Sequence, residues 1–398
     1  MAEKSYRLTR LACYGGCFSQ ATVNMFLPLL YVSFHTVYGI SLSMVALLGT
    51  VNFAVQLVVD LLAAGLTNKI SFRASALLAH ACVIAGFILL VVLPFVLPPF
   101  AGLLIAVCVY AVGGGLEEVI ISPIIESCPA PDKKRQMGLL HATYPLGAVG
   151  MLAFSAAFFA LFGVARWRIA ALILTAVPLV TFLLFTVCPF APQNEPSEGE
   201  ESTEGAAKKP RLFSSFSFYL FLLLMICAGA SEQAIAQWIS AYAELSLGIG
   251  KTMSDIFGPL AFMLVFAAVR LLYAVLSERI ATHRILLFSG VLTVGAFLLA
   301  ALAPNPIANL AGCLLAAVGI AAMWPAVLSL AAASLSSGTT TFSLLAFGGD
   351  IGCGVGTYCI GGIGTRTSLH TGMLCGTAFP LLFTLAILAH TLVKKEKK

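Results

Sequence analysis

Apolar runs of about twenty residues, broken by short polar or Gly/Pro-rich stretches, recur along the whole chain. A helix of that length crosses the ~30 Å hydrocarbon core of a bilayer. The runs are continuous and do not alternate apolar with polar, which favours helices over the strands of a β-barrel. Twelve spans are expected. In the first half they run over Leu11 to Phe34, Met44 to Leu66, Ala74 to Leu93, Gly102 to Glu126, Met137 to Gly163 and Trp167 to Cys188. In the second half they run over Leu212 to Leu245, Met253 to Leu276, Ile285 to Ala303, Ile307 to Leu335, Phe342 to Ile363 and Thr371 to Val393. The fold class is therefore an all-α membrane protein of twelve transmembrane helices.

The pattern breaks once, near the midpoint. Residues 191–211 carry Glu195, Glu198, Glu200, Glu201 and Glu204, few apolar side chains and a basic end. Such composition cannot bury a core and is expected to be a linker. It divides the chain into a six-helix bundle over 1–190 and a second over 212–398. Of the 22 Lys and Arg, 17 fall at the ends of spans on one side of the membrane. Arg166, Arg168, Lys251 and Arg366 fall on the other side, and Arg270 alone lies within a span. Basic loops stay in the cytoplasm, so both termini and the linker are expected there.

Composition agrees: 60% of residues are hydrophobic and 10% charged, against about 25% charged in soluble domains. Mean hydropathy is +1.00. The 11 Cys stand singly in apolar runs, with no CxxC pair or Cys/His metal spacing, and act as small hydrophobes. No disulfide framework, metal site or cofactor is expected. Nucleotide-binding loops, HExxH and a serine elbow are absent, so an enzyme is not expected. The start of the chain, MAEKSYRLTRLACYGG, has no small-residue cleavage site and is expected to lead directly into the first span. No Asn-x-Ser/Thr sequon occurs, which suits a bacterial inner membrane. The expected partners are a small solute and the bilayer, with no nucleic acid, and the protein is expected to be a monomer.

Ionisable groups at membrane depth are costly and mark function by default. Span 4 reads VGGGLEEVIISPIIES, with Glu117 and Glu118 side by side. Consecutive helical residues point about 100° apart, so only one can face a cavity squarely. Glu118 is the first choice for a proton site, because desolvation favours the neutral form of a carboxyl. Such a group can take a proton at one face and release it at the other. Gly113 to Gly115 admit a close neighbour, and Pro123 is expected to kink the span. Asp60, Asp350 and Glu232 are further candidates for proton coupling, although Asp350, in GGDIGCG, could equally hold span 11 against span 2. Arg270 could pair with Glu232, Glu117 or Asp350.

An internal repeat supports two related halves. VVDLLAAGLTNKISFRASALL from Val58 aligns with AVRLLYAVLSERIATHRILLF from Ala268, matching Leu61 to Leu271, Leu62 to Leu272, Lys69 to Arg279 and Ile70 to Ile280. Parallel repeats about an axis normal to the membrane place a cavity at the midplane between them. Asp60 and Arg270 hold equivalent places with opposite charge, which allows pairing across the halves.

At these residues the chain resembles the major facilitator superfamily, whose loop after span 2 reads G-x-L-x-D-R-x-G-R-K. Leu66, Asn68, Lys69 and Arg73 fall on it, with Asn68 in place of the acid and Ser71 and Phe72 in place of the Gly-Arg pair. Glu278, Arg279 and Arg284 keep the charge pattern of the second copy. The resemblance implies loops that clamp the cytoplasmic ends of neighbouring helices. A narrower resemblance is to the fucose permease branch of sugar–proton symporters. It rests on Gly113, Gly115, Glu118 and Pro123 in span 4, and on His141, Tyr144, Gly147 and Ala148 in span 5. It continues with Glu232, Trp238 and Tyr242 in span 7, and with Trp324 and Pro325 in span 10. Ser122 replaces the Asn of that branch, span 1 lacks its acid, and Asp350 is extra.

A secondary active transporter is expected, with proton-coupled symport of a sugar or similar polar solute ahead of proton-driven efflux of amphipathic compounds. The coupling ion is expected to be a proton, with Na+ left open. An anion exchanger is disfavoured, since Arg270 is the one buried cation. Gln20, Asn24, Asn52, Gln56 and Gln237 would hydrogen-bond the solute, with Glu117, His141, Tyr144 and Trp324 beside them. Trp238 and Tyr242, four apart on one helix face, would stack on its apolar side.

Overall fold

The computed structural model describes residues 6–66, 71–129, 133–190, 216–276, 279–332, 334–335 and 339–396. Twelve helices are long and apolar enough to cross a membrane. Spans 1 to 6 are Arg7–Tyr38, Leu42–Leu62, Phe72–Val96, Pro99–Ser127, Thr143–Phe162 and Val164–Val187. Spans 7 to 12 are Phe216–Ala236, Lys251–Tyr273, Thr282–Leu302, Pro306–Ala331, Leu344–Arg366 and Leu369–Thr391. No strand occurs among the described residues. Lipid offers no partner for backbone groups, so apolar runs of this length close their hydrogen bonds internally as helices. The linker 191–211, Asn68, Lys69 and Glu278 lie outside the described residues.

Side chains stop the spans where the sequence provides caps. Ser71 Oγ accepts from the Ala74 N–H at 3.3 Å before span 3, and Asn305 Oδ1 accepts from the Ala308 N–H at 2.9 Å before span 10. Ser368 Oγ accepts from the Thr371 N–H at 3.1 Å before span 12. Gly39, at φ 65°, closes span 1 in the left-handed region, where a Cβ would be strained.

Several spans are broken, and the break in span 7 carries Gln237. Span 1 is a helix over Arg7–Met25, a 3-10 turn over Leu27–Leu30 around Pro28, and a second helix over Tyr31–Tyr38. Span 7 stops at Ala236, and a short helix resumes over Ile239–Leu245. Span 8 contains a π-turn over Ile256–Leu260 at Gly258 and Pro259, and span 10 breaks between Ile320 and Met323. By contrast, the helix Pro99–Ser127 runs on as one element through Pro123, where the sequence pointed to a kink.

Within the first six spans, span 3 packs on span 4; within the last six, span 7 packs on span 11 and span 9 on span 10. Spans 2 and 11 meet across the two sets, as do spans 5 and 8. Span 11 approaches span 7 backbone to backbone: a Cβ on Gly352 or Gly356 would collide with the carbonyl of Ile226 or Ala230. The ends of the spans define two faces. On the face expected to be cytoplasmic, here the basic face, Arg73 donates to the carbonyls of Thr186 and, at 2.9 Å, Cys188. Its guanidinium also lies over the Phe190 ring. Arg73 thus ties the start of span 3 to the end of span 6, as a clamping loop would.

Candidate functional site

Four hydrogen bonds join the first six spans to the last six among the described residues, and none lies near the basic face. The Tyr31 hydroxyl donates to Gln237 Oε1 at 3.0 Å, and Gln237 Nε2 donates to the Asn24 carbonyl at 3.1 Å. Thr50 Oγ1 donates to the Gly354 carbonyl at 3.2 Å, and Lys251 Nζ donates to the Leu29 carbonyl. The halves are therefore closed together toward the far face.

Lys251 is the least expected member of this seal. The sequence places it in a loop, but it opens span 8 with its side chain only 15% exposed. It pairs with Asp255 at 2.7 Å, one helical turn on, and also reaches Ser240 Oγ at 3.2 Å. Asp255 is buried and accepts from Ser240 as well.

Asn24 is the hub of an amide cluster beneath the seal. Its Oδ1 accepts from Asn52 Nδ2 at 3.0 Å and from Gln56 Nε2 at 2.9 Å, and its Nδ2 reaches the Tyr144 hydroxyl at 3.4 Å. Gln237 Nε2 also donates to Gln233 Oε1 at 3.1 Å. The break in span 7 at Ala236 lets Gln237 turn toward span 1. Gln20, Asn24, Asn52, Gln56, Tyr144 and Gln237, all candidates for solute binding from sequence, thus converge on one region.

The acids gather next to that cluster. Glu118 is exposed although it stands nine residues, about 14 Å, inside its helix Pro99–Ser127. Gln20 Nε2 donates to its Oε2 at 2.8 Å. Asp350 lies within electrostatic reach of Glu118, Asp60 and Glu232. Arg270 pairs with Glu232 at 3.8 Å, their side chains 33% and 18% exposed, and its guanidinium lies over Phe266. Of the three partners open to Arg270 in the sequence, the structure selects Glu232; Asp60 and Arg270 form no ion pair. Spans 2, 4, 7 and 11 therefore bring four carboxyls within electrostatic reach of one another, with Arg270 and Tyr144 beside them, where two parallel repeats are expected to leave a chamber. Asp60 Oδ1 is buried without a hydrogen-bond partner.

Three expectations need correction. Glu117 does not line the chamber: it is wholly buried, accepts from Ser19 Oγ at 2.8 Å and faces His80 Nε2 at 3.3 Å. One step along a helix turns it away from Glu118. Trp238 and Tyr242 stand one helical turn apart, the Tyr242 N–H on the Trp238 carbonyl at 2.7 Å, but that turn is packed into the core and not turned toward a solute. Both are fully buried. Trp238 packs on Tyr31 with its indole N–H on the Thr357 carbonyl at 2.8 Å, and the Tyr242 hydroxyl meets the Ala300 carbonyl and His370 Nδ1. Neither offers a stacking surface in this arrangement. Trp324 is half-buried, and its ring occupies the space that a Cβ on Gly349 would need. The His141 side chain lies outside the described residues. His80 and Lys251 were not anticipated; the rule that marks a lone ionisable residue inside a span applies equally to His80.

A family model described as the Major Facilitator Superfamily matches residues 12–357. The chain belongs to the Major Facilitator Superfamily. Among solved structures of this fold, a D-xylose-proton symporter superposes with a TM-score of 0.82 at 11% identity, covering 96% of this chain and 97% of that one. A bacterial homologue of the human lysosomal transporter Spinster gives 0.78 at 16% identity, covering 99% and 98%. The fucose:proton symporter of E. coli gives 0.63 at 16% identity, covering 96% and 98%. A comparison with curated protein sequences finds no match. At these identities the structural likeness establishes the superfamily fold, and the site must be argued from its own geometry.

Proposed function

We propose that this superfamily transporter carries a neutral polyhydroxylated solute, such as a sugar, in symport with a proton. The observation that carries the proposal is the contact of Gln20 with Glu118 in a chamber whose roof is the Asn24 amide cluster. Amides both donate and accept, so Asn24, Asn52, Gln56 and Gln237 can exchange their mutual hydrogen bonds for solute hydroxyls. Glu118 is the proton carrier: ionised, it accepts from Gln20; protonated, it can donate instead. Asp60, Asp350 and Glu232 set the field in which it ionises, and Arg270 restrains Glu232. The units that rock are taken as residues 1–190 and 212–398. The excess of Lys and Arg puts the basic face in the cytoplasm of a bacterial inner membrane. The transporter works as a monomer without a cofactor or covalent chemistry, and Na+ is the alternative coupling ion.

In liposomes, an inward proton gradient is expected to drive accumulation of a neutral sugar. Glu118→Gln is expected to abolish accumulation while preserving solute exchange between the two sides. Gradient-driven accumulation by the variant at the wild-type level would remove Glu118 from the coupling role.

Efflux of amphipathic cations is the second possibility, favoured by four acids facing the chamber against one arginine. It predicts that expression raises the resistance of cells to lipophilic cations and that Glu118→Gln cancels the gain.

A further inference from the structure

Glu117 and His80 meet where spans 1, 3, 4 and 6 pack, on the side of span 4 turned away from the chamber. His80 Nδ1 lies 2.8 Å from the Ala76 carbonyl. A carbonyl only accepts, so Nδ1 carries a hydrogen. The other ring nitrogen, Nε2, then faces Glu117 Oε1 at 3.3 Å. Nε2 and Glu117 Oε2 are both buried without a hydrogen-bond partner, and a proton on the carboxyl turned toward Nε2 would satisfy the ring and remove the repulsion between a carboxylate and a bare lone pair.

The surroundings decide where that proton resides. Both side chains are 0% exposed. The Phe185 ring of span 6 lies 5.3 Å from the imidazole, centre to centre. Gly16 of span 1 borders the ring: a Cβ there would collide with Ile121 and stand in ordinary contact with Nε2, 3.5 Å away. The polar and titratable groups that face the pair are Ser19, which donates to Glu117 Oε1, and the Cys17 thiol, within electrostatic reach of Glu117. Among the described residues no lysine or arginine pairs with Glu117. An apolar pocket disfavours separated charge, so the neutral arrangement is preferred, with the hydrogen on the carboxyl.

We infer that Glu117 is a permanently protonated carboxylic acid that donates to His80 Nε2, forming a proton-holding site distinct from the one on Glu118. The site does not exchange its proton during transport. It positions span 4: His80 anchors it to span 3 and Ser19 to span 1, and the next residue of each helix makes the Gln20–Glu118 contact. The inference stands whatever solute is carried.

Infrared spectra of the full-length protein in lipid test it directly. A protonated-carboxyl C=O band is expected that is lost in Glu117→Gln, kept in Glu118→Gln and unchanged from about pH 5 to 8, across the range in which an ordinary histidine titrates. A spectrum of Glu117→Gln that overlays the wild type would overturn the assignment, as would a Glu117 band that disappears within that pH range. Glutamine can donate to His80 and accept from Ser19, so Glu117→Gln is also expected to keep gradient-driven uptake and its pH profile. Loss of that uptake by a folded variant would mean that Glu117 must ionise. Should the variant fail to fold, nitrogen NMR of histidine-labelled wild-type protein decides. A neutral His80 ring with hydrogen on Nδ1 supports the inference, and a doubly protonated ring refutes it.

Discussion

Toward the far face the two halves are stitched by neutral amides, a tyrosine hydroxyl and one lysine. Toward the basic face no hydrogen bond crosses between them among the described residues, and Asp60, Glu118, Glu232 and Asp350 stand on that side of the amide cluster. The difference is one of chemistry as well as closure. The sealed end uses neutral groups that find partners when dry, and its one buried acid, Asp255, is matched by Lys251. The basic side uses groups that need water or a proton, so burying them would force the acids to share protons, accept a cation or release their charge. A proton-driven carrier needs that asymmetry, because it lets occupancy of the acids decide which end can shut.

Lys251→Met should disturb this contrast most. It leaves Asp255, 1% exposed, without its cation, and breaking one side of a buried pair costs about 3–5 kcal/mol. The thermal midpoint should fall, and cysteines introduced at the far face should react faster with an impermeant thiol reagent. Lys251→Met combined with Asp255→Asn should recover much of the loss; a double variant no better than the single one would show that the pair does not hold the seal.

Gln237→Ala should have the next largest effect. It strands the Tyr31 hydroxyl and frees Asn24, at about 1–3 kcal/mol for a buried group left unsatisfied. Far-face labelling should again rise, by less than in the lysine variant. Unchanged labelling would place the seal elsewhere. Arg270→Gln should cost least in stability, about 1 kcal/mol or less, because the Arg270–Glu232 pair is partly exposed. A loss as large as that of Lys251→Met would mean that the pair bears on the packing of the two halves as much as the buried lysine pair does.

The order and number of spans are legible in the sequence because bilayer thickness fixes the length of each apolar run. The acids are legible too: Asp60, Glu118, Glu232 and Asp350 stand out as carboxyls at membrane depth, and the structure brings them together. Arg73 is legible from its place in the loop motif. What escapes is what neighbours decide. The break at Ala236 has no proline to announce it, and the four-residue spacing of Trp238 and Tyr242 does not tell whether their shared turn faces a solute or the core, where both lie. Which of Glu117 and Glu118 meets the chamber depends on how span 4 is rotated against spans 1 and 3, and periodicity is blind to that in a helix apolar all round. Lys251 reads as a loop cation because the helix that puts Asp255 one turn away starts earlier than the apolar run, and the Leu29 carbonyl is brought to it only by packing.

The bare backbone of span 11 at Gly352 and Gly356 has a last consequence. With carbonyls of span 7 occupying the space where side chains would be, these two helices pack at the shortest distance backbones allow, and any side chain larger than hydrogen at these positions would force them apart. Glu232 and Asp350, one on each, must then travel as a fixed pair. The distance between them is a built-in ruler, against which every excursion of Glu118 can be gauged.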